Sequence, residues 1–386
     1  MKKIRKISCN ELMYYDSEKL TNQYTIQLIF EIKKIKHISK INEAINKVIK
    51  NNIGSNVFLK GNNYYLNDNK VKIEKVTVDT DDIYNMDFFR EIIDIEKSSL
   101  KLYILYNKKD NRQYLVFKSS HSVMDGKGAL LFITNLVNYL NNDDLIKCSN
   151  SITDYQFVKK LNYYKKTESK YPYLKNPYTK KINNYKTKIR IISIDGYIQA
   201  IVAKLSCILA DEFNNNEMRV MIPTDIRRYD KENNYIGNLT LPVFVNVDKG
   251  DDYKIVNGKM LYSLKENKEL NLKNTSYLGY QYLPKIIRKL FLKVGLKYIS
   301  NSNKFSAGAL ISFLGRINVD DLQNDYFNVN DLVSLPAHNP LILYSFVITE
   351  FANKTNIAFI YYEKQFDEKY VDYIENKIKN NLKNGD

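Results

Sequence analysis

Tryptophan is absent from this sequence, and histidine and cysteine occur only three times each. The cysteines, Cys9, Cys148 and Cys207, stand far apart without metal-ligand spacing, and their odd number argues against a disulfide framework. Such usage fits a reducing, cytoplasmic setting. No run of about 18 or more uncharged apolar residues occurs, which argues against a membrane-spanning helix. The opening MKKIRKISCNELMYY carries positive charge but no apolar h-region, so it does not read as a secretory signal. Neither an arginine-rich arm nor an RNA-binding signature is present, and no nucleic-acid partner is expected. No clustering of ligand-type residues points to a metal, and no permanently bound cofactor is expected.

What is present is an ordinary globular composition on a long chain. With 386 residues, 44% hydrophobic and 26% charged, the chain can bury a sizeable core and is too long for one ordinary domain. The formal charge of +16 is compatible with anionic lipid or a phosphate-bearing cosubstrate. It is also what a chain rich in Lys, Asn, Ile and Tyr produces, and acidic residues are interspersed almost everywhere.

Strands and helices alternate through the first half. YTIQLIFEIKKI (24–35) reads as a strand, and 38–52 has helical apolar spacing at Ile41, Ile45, Val48 and Ile49. SNVFLKGNNYYLND reads as a hairpin about Gly-Asn, and LKLYILYNKKDNRQYLVFKSS as a second hairpin. From Gly126 the period becomes helical, with Leu130, Ile133, Leu136, Val137 and Leu140 on one face, and it stops at NNDD. Residues 161–188 are polar, basic and proline-punctuated and read as a crossover linker between a lobe at 1–160 and another at 189–386. The second half resumes with a helix expected over SIDGYIQAIVAKLSCILADEF, capped by Ser193 or Asp195. Strands follow at RVMIPTDIRRYD, LPVFVNV and ALISFLGRINV, then a hairpin across ANKTN, and a helix EKYVDYIENKIKNNLK ends the pattern.

FKSSHSVMDGKGALLFITNLVNYL (117–140) places His121 between a core strand and a buried helix, where rigid elements on both sides can hold a catalytic group. A neutral imidazole accepts a proton near physiological pH, provided one ring nitrogen is free and the other is held. Asp125 lies one turn downstream, where it can cap the helix, and buried there it needs a partner such as a forked guanidinium. Gly126 and Gly128 allow close approach to the helix start. His37 and His338 have no motif around them and read as structural.

HSVMDGKG after a strand resembles the H-x-x-x-D-G signature of the chloramphenicol acetyltransferase-like superfamily. That superfamily includes plant BAHD acyltransferases, wax-ester and alcohol acyltransferases, and condensation domains of nonribosomal peptide synthesis. MIPTDIRRYDKENNYIGNLTLPVFVNV (221–247) is similar to its P-x-x-x-R block followed by Gly-Asn, and SAGALISFLGRINV (306–319) to its S-N-x-G strand region. SKINEAINKVIKN resembles the opening helix. Together these span nearly the whole chain, in the family's order.

The resemblance implies an α/β (α+β) fold of two similar lobes, each a mixed sheet with flanking helices, and a tunnel between them. It implies His121 as general base in an acyl transfer from a thioester to an alcohol or amine, without a covalent intermediate. Asp125 would be structural and paired to Arg227, with Arg228 the alternate, beside Gly126; Asn238 and Ser312 would contact substrate or the oxyanion. Acyl-CoA is the implied cosubstrate, with an acyl carrier protein as the other donor, and a small-molecule acceptor completes the reaction. Ser120 stands where condensation domains usually carry a first histidine, Phe313 where the S-N-x-G region has Asn, and the plant enzymes' D-F-G-W-G block is missing. These departures favour the free-standing, acyl-CoA-using alcohol acyltransferase branch; a carrier-dependent, condensation-like enzyme and a non-catalytic binding protein of the same fold are the alternatives.

One stretch stands apart from this pattern. YLPKIIRKLFLKVGLKYI (282–299) alternates Lys285, Arg288 or Lys289, Lys293 and Lys297 with Ile286, Ile287, Leu290, Phe291, Val294 and Leu296. Four readings stay open: contact with an anionic lipid surface, the flank of a lipid tunnel, contact with coenzyme A phosphates, or a helix covering a sheet with its lysines snorkelling.

Overall fold

The computed structural model describes residues 1–21, 24–163, 174–175, 185–213, 217–271, 279–302, 304–335 and 337–383. Two mixed sheets organise them. The first has five strands in the order Val329–Leu335, Thr25–Ile32, Arg112–Ser120, Leu100–Asn107, Glu74–Val78. The second has six, in the order Thr187–Asp195, Lys354–Tyr362, Ile342–Phe351, Ala307–Ile317, Glu217–Asp225, Thr240–Asp248. Each is mixed: Glu74–Val78 runs parallel to its neighbour in the first, and Ala307–Ile317 runs parallel to both neighbours in the second.

Strand Thr25–Ile32 shows why the first sheet reads as nearly continuous hydrophobicity. Successive side chains point to opposite faces. Ile26, Leu28, Phe30 and Ile32 enter one core with the helices Ile38–Asn51 and Gly126–Asn141, while Ile29 enters another. That other core joins the sheets, because Val116 and Val333 of the first meet Ile189, Ala358 and Ile360 of the second. The far face of the second sheet packs on helices Ile201–Ala210, Tyr253–Lys265 and Glu368–Lys383. In the last of these Val371, Ile374, Ile378 and Leu382 are buried at three- and four-residue spacing, as one helical face requires.

The two halves of the chain are interleaved. Val329–Leu335, from the second half, forms an edge of the first sheet against Thr25–Ile32. Asn234–Tyr235 lies beside Cys148–Ser149, which in turn pairs with Asn52–Ile53. This small three-stranded sheet ties the segment leading to Asn238 onto the first half.

Several expected elements differ in the structure. The helix expected from Ser193 or Asp195 begins only at Ile201; Thr187–Asp195 is instead a strand paired along its length with Lys354–Tyr362. The β-branched run in TKIRIISID finds a partner there, and Gly196 at φ 90° turns the chain out of the sheet. Neither Ser193 nor Asp195 caps a helix, and Ala200 occupies the N-cap position. The expected linker, 161–188, falls mostly outside the described residues; within it Leu174–Lys175 pairs with Lys304–Phe305. For 282–299, the reading that its apolar side covers a sheet is overturned: in helix Lys285–Ser302 that side faces outward. Among the described residues no helix is long and apolar enough to cross a membrane, and no cluster of ligand-type side chains could hold a metal.

Candidate active site

His121 follows directly on strand Arg112–Ser120, in a turn whose first amide donates to Tyr24 O at 2.8 Å. Three further contacts pin this turn. Tyr64 donates its hydroxyl to Ser122 O at 2.7 Å, Asn150 its amide to Val123 O at 3.0 Å, and Asn238 its amide to His121 O at 2.7 Å. The side chains of Tyr64 and Asn150 are themselves buried.

The last contact decides the imidazole's proton. With its nitrogen committed to His121 O, Asn238 turns its Oδ1 to His121 Nδ1 at 3.2 Å. A carboxamide oxygen only accepts, so Nδ1 carries the hydrogen and Nε2 keeps a lone pair. Burial lowers the His121 pKa, and this outweighs Asp125 and the hydrogen bonds that act to raise it. The ring is therefore a neutral base at pH 7. Tyr14 stacks on it with centroids 4.5 Å apart and planes 28° from parallel.

Asp125 performs two tasks at once. As N-cap of helix Gly126–Asn141 its Oδ1 accepts from Gly128 N at 2.8 Å. The same carboxylate receives Arg227 Nη1 at 3.1 Å and Nη2 at 3.0 Å, Leu239 N at 2.9 Å and Thr240 Oγ1 at 2.9 Å. Burial pushes the carboxyl pKa up, but Arg227 and these donors overcome it and leave it below the usual value. Arg227 also donates to Tyr235 O at 2.6 Å and to Gly237 O. It thus welds the 235–239 segment to the His121 turn. Arg228 points elsewhere, to Glu269.

Glycine at 128 is dictated by this approach: a Cβ there would run into the carbonyl of Ile236, which cannot move aside without shifting backbone. At Gly126 an added Cβ would meet only a methyl of Leu314, 2.7 Å away. Leu314 and Gly315 sit where the register of strand Ala307–Ile317 shifts, with Gly315 at φ 92°.

His121 opens on a cavity of about 360 Å³ walled by both sheets. Ser312 and Phe313 come from the facing strand, and Ile26, Met221, Leu310 and Val347 make much of the wall apolar. Of the residues singled out in the sequence, His121, Asp125, Gly126, Asn238 and Ser312 all border this space, while Arg227 holds Asp125 from outside it. Sequence reasoning missed Tyr14 and Glu18. Both lie on helix Cys9–Thr21; Glu18 receives Thr25 Oγ1 at 2.9 Å and Ser120 Oγ at 3.3 Å behind the turn. Burial pushes the Glu18 carboxyl up to about 8, against the pull of those hydrogen bonds. Nothing in one tyrosine among 32 marks Tyr14 beforehand.

Comparison with known proteins places this architecture. No protein-family model matches the chain, and no curated protein matches it by sequence. Solved structures do match in fold. The condensation domain of the Monacolin K polyketide synthase MokA aligns over 100% of this chain and 99% of its own, with a TM-score of 0.69 at 9% identity. The starter condensation domain of rhizomide synthetase RzmA, in a mutant form in complex with C8-CoA and Leu-SNAC, covers 97% of this chain and 93% of its own (TM-score 0.64, 10% identity). Polyketide synthase associated protein 5 from Mycobacterium tuberculosis covers 98% of each chain (TM-score 0.62, 10% identity). The fold is that of condensation domains, the two-lobed chloramphenicol acetyltransferase-like architecture.

Proposed function

We propose that the chain is an acyltransferase that moves an acyl group from a thioester, acyl-CoA in the first instance, to the hydroxyl or amine of a small acceptor. The observation that carries this reading is the His121 ring: neutral, with Nδ1 held by Asn238 and the ring bordering a cavity between the sheets. In the reaction Nε2 takes the acceptor proton as its oxygen or nitrogen bonds to the thioester carbonyl carbon. The carbonyl π electrons move onto oxygen, beside Ser312 as the candidate donor. When the intermediate collapses the C–S bond breaks, and the imidazolium returns its proton to the departing thiolate. No covalent acyl-enzyme forms. The apolar wall suits an acyl chain or an apolar acceptor.

The thioester is already activated, so positioning and one base suffice. A carrier-protein-bound donor is the second reading, favoured by the fold shared with condensation domains. The test is thiol release from a panel of acyl-CoA donors and, side by side, acyl-carrier donors, with and without pooled alcohols and amines. His121→Ala should slow acceptor-dependent release by about 10²–10⁴-fold. Undiminished turnover by that variant would remove the reading, and release from carrier-bound donors alone would replace acyl-CoA.

A further inference from the structure

Helix Lys285–Ser302 is fastened to the body along one line. Arg288, 4% exposed, reaches Asp16 of helix Cys9–Thr21 at 2.6 Å, and Tyr280 donates to the same carboxylate at 3.0 Å. The opposite side carries large apolar groups in the open. Ile286 is 82% exposed, Leu290 61% and Val294 60%, at four-residue steps, with Ile287, Phe291 and Tyr298 exposed beside them. Tyr282, 75% exposed, extends the stripe beyond the helix start. A contiguous exposed stripe of this kind marks an interaction surface, whereas isolated apolar residues on a surface do not.

Charge names the partner. Lys289, Lys293 and Lys297 follow one border of the stripe at four-residue steps and make no ion pair among the described residues. No Asp or Glu occurs between Gln281 and Lys304. We propose that this helix seats the protein on an anionic lipid surface, its apolar stripe entering the headgroup boundary and its lysines meeting lipid phosphates. The pattern of apolar and aromatic groups on one face with lysines along its edge is that of helices lying in a membrane interface. A second copy of the chain fits worse in an antiparallel pairing, because the two lysine rows would then share one edge. The face lies on a single helix, its apolar side chains standing in the open, which suits a deformable bilayer. The proposal does not depend on the catalytic reading, since none of these residues borders the His121 cavity.

The test uses the full chain and vesicles of phosphatidylcholine with and without phosphatidylglycerol. Wild type should sediment with the anionic vesicles far more than with the neutral ones. Raising salt from about 0.1 to about 1 M, which shortens the Debye length from about 10 to about 3 Å, should weaken that binding. Replacing Lys289, Lys293 and Lys297 by Gln together should lower affinity about a hundred-fold, near five-fold per charge. Leu290→Glu with Val294→Glu should abolish sedimentation while leaving the melting temperature unchanged, because both side chains are exposed. The absence of tryptophan supplies an independent readout: Phe291→Trp places a single indole on the stripe. Its emission should shift to the blue with anionic vesicles and be quenched by brominated acyl chains. Equal sedimentation with both vesicle types, or an unshifted spectrum, overturns the proposal. So does a wild-type dimer that Leu290→Glu dissociates, or an acidic protein bound on this face that anionic vesicles do not displace.

Discussion

Replacing Arg227 by methionine keeps much of the side-chain volume and removes the counter-charge of a carboxylate that has almost no contact with solvent. Asp125 and Arg227 side chains are 4% and 9% exposed. In the variant Asp125 retains only Gly128 N, Leu239 N and Thr240 Oγ1, while the carbonyls of Tyr235 and Gly237 lose their donor. Breaking a buried pair from one side costs about 3–5 kcal/mol, because the remaining charge stays desolvated. A chain of this length has an unfolding entropy on the order of 0.8 kcal/mol/K, so the midpoint should fall by about 4–6 °C. Activity should fall with it, since the 235–239 segment carries Asn238. The sharper measurement is a cycle with Asp125→Asn. The double variant leaves only the partly exposed Asp225 without its arginine and no fully buried lone charge, so its loss should be smaller than the sum of the single losses by about 2 kcal/mol or more. Thermal melts and urea titrations followed by circular dichroism read both quantities. An Arg227→Met protein melting within about a degree of wild type, or single losses that simply add to within about 0.5 kcal/mol, would refute the argument.

Because burial lowers the His121 pKa, the acid limb of kcat/KM should lie below about 6.5, the ordinary imidazole value; a limb above it contradicts a buried neutral base. Asn238→Ala should reduce kcat on the order of ten-fold, a fraction of what a positioned base supplies. Asn238→Asp should move the acid limb upward by placing a carboxylate on Nδ1–H, and an unmoved limb would show that Asn238 does not hold the ring. For Glu18 the folded pKa near 8 lies above the ordinary 4.5, so the folded chain keeps a proton that the unfolded chain releases between those values. Stability should therefore decline as pH rises through that window. Glu18→Gln should flatten the dependence of the melting temperature on pH, and a variant that tracks wild type would reject the assignment.

Much of the fold was legible because each element obeys one period. Ile38–Asn51, Gly126–Asn141 and Glu368–Lys383 show three- and four-residue apolar spacing, and the hairpin Ile342–Phe351 to Lys354–Tyr362 turns at the polar ANKTN. His121, Asp125 and the arginine block were visible as a motif in order along the chain. Helix Cys9–Thr21 was not, since its buried side chains include Glu11, Asp16 and Glu18 alongside Leu12 and Tyr15. A helix whose buried face is acidic presents no amphipathic signal. Its carboxylates are matched by groups outside the helix, some near in sequence and some far: Ser8 N and Arg5 for Glu11, Tyr280 and Arg288 for Asp16, Thr25 and Ser120 for Glu18.

Local pattern thus determined many of the strands and helices, though not helix Cys9–Thr21 or strand Thr187–Asp195, and that a histidine stands at the mouth of a capped helix. Tertiary structure alone decided that Val329–Leu335 crosses to the first sheet, that Arg227 and not Arg228 reaches Asp125, and that Asn238 settles the imidazole's tautomer. It also decided that the basic helix turns its apolar side outward. The physical reason is common to all four. Periodicity depends on neighbours a few residues apart, whereas pairing, charge compensation and exposure depend on groups brought together from far along the chain.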